Sequence, residues 1–195
     1  FSNRIDLGVG RAPGSDQLTA AALAYPKRQS DINHFPQQVL DLLGFIYGTI
    51  DQDHPFSQIH VQPGPLPASA PEVWLLGSST YSAQLAARLG LSFSFADFFG
   101  NTGDYGPTVA DIYRSEFKAS RFLTKPRFNV TFQTICASTE VEAIRLGSSR
   151  NLNRVAWIMG LGHGLLPPDE ATAFPLSSDA QQHLESYKRG YCDGT

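Results

Sequence analysis

Two short stretches combine residue types that can hold an anion. The first is Gly8-Val9-Gly10-Arg11-Ala12-Pro13-Gly14, at the end of the strand-like run from Arg4 to Gly10. It approaches a dinucleotide fingerprint, but three residues rather than two separate its second and third glycines. Pro13 and Gly14-Ser15-Asp16 also break the direct entry into a helix that a pyrophosphate needs. A Rossmann site is therefore excluded. What survives is Arg11 in a Gly-rich loop, with a fork of donors suited to phosphate or carboxylate. The competing reading is a turn whose glycines serve backbone geometry and whose arginine lies on the surface.

The second stretch is Gly77-Ser78-Ser79-Thr80-Tyr81-Ser82, between an apolar strand and a helix. Hydroxyls and free backbone N–H groups converge there, where the helix dipole also favours negative charge. Taken alone, ordinary N-capping is the commoner use of such hydroxyls. The two stretches weigh more together. Both fall at C-terminal ends of predicted strands, the face on which α/β folds place ligands.

Other chemistry finds little support. His34, His54, His60, His163 and His183 are scattered without metal-ligand spacing. No Gly-x-Ser-x-Gly elbow occurs, and neither Cys136 nor Cys192 has a readable histidine partner. Asn129-Val130-Thr131 matches a glycosylation sequon but lies inside a predicted strand, so it is taken as chance. Phe93, Phe95, Phe98 and Phe99 suit a core more readily than a ligand site.

The elements that must position the two stretches alternate strand and helix. After the first strand comes a polar loop, then a helix from about Phe35 to Ile50 with Val39, Leu42, Leu43 and Ile46 at helical spacing. Residues 51–71, rich in Pro, Ser and Gln, read as a surface insertion holding one short extended piece, Ile59-His60-Val61. Glu72 to Gly77 reads as a strand covered on both faces, and Ser79 to Leu89 as a helix closed by Gly90. A strand from Ser92 to Phe98, a helix from Pro107 to Lys118 and a strand from Phe128 to Ala137 follow. The next helix starts at Ser138-Thr139-Glu140-Val141-Glu142 with a hydroxyl cap and early acids. Beyond Gly160 the pattern decays. Repeated strand–helix pairs predict parallel strands joined by right-handed crossovers, an α/β fold that is either an open sheet or a partial barrel.

Composition bounds the class. The 195 residues suit one domain with a sizeable core, and 42% of them are hydrophobic. Fifteen basic and 18 acidic residues leave a formal charge of -3, which argues against a nucleic-acid surface. No apolar run has a membrane-spanning length, and no signal segment is readable, so a soluble cytoplasmic protein is expected.

FSNRIDLGVGRAPGSDQLTA, taken with VWLLGSSTYSAQLAARLGL, resembles the luciferase-like flavin-dependent monooxygenases of the bacterial luciferase superfamily. The resemblance runs from Phe1 to about Pro168. It implies a (β/α)8 TIM barrel that binds reduced FMN at the C-terminal ends of its strands and uses O2 on a small organic substrate, with a flavin reductase supplying the reduced FMN. On that pattern IDLGVG is the fourth strand, VWLLG the fifth, SFSFADF the sixth and FNVTFQTICAS the seventh. The chain is then a single luciferase-like domain over 1–195, a partial barrel incomplete at both ends.

Residue by residue, the resemblance places Arg11 on the arginine that reaches the flavin phosphate. It places Ser79 and Ser82 on the hydroxyl residues of the loop after the fifth strand, which hold the same phosphate. Ser78 falls where luciferase itself has an acidic residue. GYCDGT does not match the glycine segment that leads the family into its eighth strand, and no catalytic acid or base can be named. A half-barrel leaves sheet edges and an apolar face uncovered, so a homo-oligomer or the remainder of a barrel is expected to cover them. Two alternatives stay open: a flavin-binding protein without turnover, and a deazaflavin-dependent oxidoreductase.

Overall fold

The computed structural model describes residues 4–12, 17–26, 32–61, 70–99, 102–161 and 164–195. Four parallel strands, β1 (Asp6–Gly10), β2 (Glu72–Gly77), β3 (Ser92–Ala96) and β4 (Phe128–Thr131), form one sheet in the order β1-β2-β3-β4. Seven helices accompany them among the described residues: α1 (Gln17–Ala24), α2 (Phe35–Tyr47), α3 (Thr80–Leu89), α4 (Gly106–Glu116), α5 (Glu140–Met159), α6 (Pro168–Ala173) and α7 (Ser178–Lys188).

The element boundaries have local causes. The first strand starts at Asp6 rather than Arg4, where pairing with Glu72 begins. The helix expected to reach Ile50 stops at Tyr47, because Gly48 takes a left-handed conformation at φ 64° and turns its N–H back to the last carbonyls. β3 stops at Ala96 instead of Phe98, and α4 stops at Glu116, since the N–H of Lys118 goes to the carbonyl of Ala87 at 2.9 Å. The strand expected through Ala137 ends at Thr131, whose carbonyl accepts the last bond from Asp97 N at 2.8 Å. Cys136 then forms a separate parallel bridge with Gly194, giving the final segment a partner the sequence did not suggest.

The chain forms two compact units. The first comprises residues 1–94 and 112–128. Its β1 and β2 pair with Leu7 opposite Val73 and Val9 opposite Leu75, so these four side chains share one face. Val73 and Leu75 are buried there, and α3 packs on β2 through the fully buried Ala83, Ala86 and Ala87. The three alanines let backbone approach backbone. α1 replaces part of the expected polar loop; only its Ala20 is buried, while Leu18 and Leu23 are exposed. Residues 51–61 form successive turns, and Ile59-His60-Val61 belongs to no strand; residues 62–69 of the insertion lie outside the described residues. His54 ties these turns to α2, its Nε2 3.6 Å from Asp41 and its ring facing Phe45 and Phe56.

Tyr113 is the keystone of this unit. Fully buried and packed against Phe93 and Phe128, it donates from its hydroxyl to Leu91 O at 2.9 Å and accepts from Arg127 N at 3.0 Å. Burial holds its phenol above the ordinary tyrosine range. Tyr113→Phe keeps the ring but leaves a buried donor and acceptor without partners, so a loss of about 1–3 kcal/mol in urea unfolding is expected. A loss below a few tenths of a kcal/mol would mean water replaces the hydroxyl.

The second unit comprises residues 95–111 and 129–195. The region expected to be irregular instead holds α6 and α7, which pack along α5. Pro168, Asp169 and Glu170 open α6, and Ser177 caps α7 by accepting from Ala180 N at 3.3 Å. Val155, Ala180 and Tyr187 form the core here, with Met159, Leu176, Leu184 and Tyr191 around them. At the end of β3, Thr102 donates to Asp97 at 2.5 Å, holding that carboxylate in place.

Candidate functional site

Parallel pairing of β1 with β2 sets the geometry of the site. Gly10 lies opposite Leu76, so the residues that come next, Arg11 after β1 and Gly77-Ser78 at the close of β2, emerge at the same end of the sheet. The half-buried Arg11 guanidinium stacks over the ring of Tyr81 at 4.3 Å, and Tyr81 stands in the first turn of α3. Among the described residues no ion pair or hydrogen bond involves Arg11. A cation is thus held by packing beside a helix N-terminus, with its donors free. Pro13 to Asp16 lie outside the described residues.

The start of α3 explains how the serines divide their work. Ser79 adopts an extended backbone and caps the helix, accepting from Ser82 N at 3.5 Å with its oxygen 3.4 Å from the Ser82 hydroxyl. Both contacts are long, which leaves the Ser79 hydroxyl room for a further partner. N-capping and anion binding are therefore compatible here rather than exclusive. Ser78 sits half-buried in the bend. Ser82 is only 7% exposed, turned beneath the strand–helix corner. A Cβ on Gly77 would fall 2.3 Å from its Oγ, so the corner needs glycine to let Ser82 in. Arg11, Ser78 and Ser79 thus lie at the same end of the sheet, while Ser82 is buried in the corner beneath Ser79.

Tyr81 is the member that sequence reasoning missed. No local pattern marks it, because it meets the Arg11 loop only through the pairing of β1 with β2. Trp74 also stands out. It alternates with Val73 and Leu75 along β2, opposite Gly8, and its buried indole N–H has no acceptor among the described residues. No group of metal-binding side chains occurs among the described residues, and no helix there is long and apolar enough to cross a membrane.

Comparison with known proteins bears on the family and the fold. No family model matches the chain. A luciferase-like monooxygenase of Escherichia coli strain K12 is 42% identical over 183 residues, covering 94% of this chain and 52% of the relative. The uncharacterized protein YceB of Bacillus subtilis strain 168 is 34% identical over 193 residues, covering 97% and 56% respectively. An N-acetyl-S-alkylcysteine monooxygenase of the same organism is 39% identical over 95 residues, covering 49% of this chain and 28% of the relative. Among solved structures, the crystal structure of apo-MsnO8 superposes with a TM-score of 0.70 at 27% identity, covering 98% of this chain and 62% of that one. The chain spans about half the length of the curated relatives it matches. Its four parallel strands and intervening helices fit a partial barrel. On these relationships, the chain belongs to the luciferase-like family.

Proposed function

We propose that this chain forms the phosphate-holding part of a flavin-dependent monooxygenase that uses reduced FMN and O2 on a small organic substrate. The observation that carries the reading is Arg11: a guanidinium stacked on Tyr81, without a carboxylate among the described residues, at the N-terminal end of α3. The monooxygenase names of two relatives support the reaction class.

In this reading the Arg11 fork donates to two phosphate oxygens, and the first backbone N–H groups of α3 and the hydroxyls of Ser78 and Ser79 complete the cradle. Ser82, buried against Gly77, contributes by fixing Ser79. Tyr81 keeps the guanidinium plane from swinging into solvent. Reduced FMN, when bound, supplies the electrons for activating O2. The residues of this chain bind and orient its phosphate tail, and a flavin reductase is the proposed source of the reduced cofactor. The test is calorimetric titration with FMN, riboflavin and a deazaflavin bearing a phosphate. FMN is expected to bind at least about tenfold more tightly than riboflavin. Equal affinity for FMN and riboflavin would remove the phosphate site, and preference for the deazaflavin would replace FMN as the cofactor.

A further inference from the structure

We infer that the second unit carries a binding site for a small organic carboxylate with an apolar tail, centred on Arg154. This inference does not rest on the flavin reading.

Arg154 lies on α5, and its guanidinium carbon is 5.0 Å from the ring centroid of Phe99, 5.2 Å from Trp157 and 5.4 Å from Tyr187. Three rings of different elements thus surround one cation. Its neighbour one turn back, Arg150, is fully committed: it is paired with Asp193, bonded to Asn151 and stacked on Tyr191. Arg154 has nothing equivalent. Among the described residues it makes no ion pair and no hydrogen bond, and its Nε lies buried without an acceptor.

A half-buried arginine normally finds a carboxylate or several carbonyls, because desolvating its donors without replacement is unfavourable. Here aromatic packing fixes the side chain, while its charge stays uncompensated. Stacked rings cover the faces of a guanidinium and leave its in-plane edge for an acceptor. The terminal nitrogens offer that edge to a planar carboxylate. Trp157 is 61% exposed and Phe99 continues into Phe98, whose ring lies 4.7 Å away. The surface beside the charge is therefore apolar and aromatic. A free inorganic anion would use only the charge; an aryl or alkyl carboxylate would use both.

The chain has two tryptophans, Trp74 and Trp157, so Trp74→Phe makes Trp157 the sole indole reporter. The probes are 4-phenylbutyrate and its uncharged amide, which share a tail and differ in the carboxylate. Phenylbutyrate is expected to change Trp157 emission saturably, and to bind about tenfold to a hundredfold more tightly than the amide. Arg154→Gln is expected to remove that preference, and Arg154→Lys to retain only part of it, since a lysine has charge without the fork. Calorimetry on the unmodified chain gives the acid–amide comparison even if a variant fails to fold. Equal binding of acid and amide, or no saturable binding of the acid, overturns the site. So does unaltered preference in a folded Arg154→Gln.

Discussion

Arg11→Ala is expected to weaken FMN binding about tenfold to a hundredfold. A hydrogen bond to a charged partner contributes roughly 1.5–3 kcal/mol, and about 1.4 kcal/mol corresponds to tenfold in affinity. The substitution also removes the stacking on Tyr81, which acts on stability in the absence of ligand. The comparison with riboflavin separates the two effects. Loss of a phosphate contact weakens FMN alone, whereas a loosened loop weakens both flavins. Arg11→Lys should recover part of the loss, because it keeps the charge and gives up the bidentate fork. Ser79→Ala should cost less than Arg11→Ala, since the backbone N–H groups of α3 remain. Titration of both flavins against each variant checks the order. If Arg11→Ala weakens riboflavin as much as FMN, the arginine is structural and the phosphate assignment fails.

The legible part of this site was local. Ser79, α3 and Gly90 follow from a cap, an alanine-rich helix and a left-handed glycine close together in sequence, and the structure forms all three. The strand ends at Gly10 and Gly77 were equally readable, because glycine closes each apolar run. α1 was not readable. QLTAAALA has apolar residues on every side, so no 3.6-residue stripe marks it. α6 and α7 carried start signals at Pro168 and Ser177, but their polar faces gave a weak period. Contacts between distant residues left no local trace at all. The ion pair of Glu72 with Arg127 spans 55 positions, and neither residue stands in a pattern that names the other. The same holds for Tyr81 beneath Arg11. Pairing of β1 with β2 brings those two together, and a strand does not announce its neighbour.

The C-terminal segment shows what such a distant contact can hold. Asp193 accepts from Arg150 Nη1 at 2.9 Å, Arg150 Nη2 at 2.5 Å and Ile135 N at 3.0 Å. Arg150 stacks on Tyr191 at 3.6 Å, and both members of the pair keep only 15% side-chain exposure. α5 accommodates the carboxylate through Gly147, where a Cβ would fall 2.9 Å from Asp193 Oδ2. That closeness accounts for a glycine inside a helix, a choice that costs about 1 kcal/mol relative to alanine. Alongside, Ala137 N and Gly194 N exchange backbone bonds with Gly194 O and Ile135 O. Asp193→Ala strands the Arg150 charge and the Ile135 N–H together. Breaking one side of a fully buried pair costs about 3–5 kcal/mol, and the remaining exposure here points to the lower end, about 3 kcal/mol. Asp193→Asn keeps an acceptor and should lose less. Replacing both partners by apolar residues, Arg150→Met with Asp193→Leu, should recover part of the loss, because no charge is then left buried. Urea unfolding measures the energies, and hydrogen exchange at Ile135, Ala137 and Gly194 reports whether the segment detaches. If Asp193→Ala changes stability by less than about 0.5 kcal/mol, the pair behaves as an ordinary surface salt bridge and does not hold the segment in place.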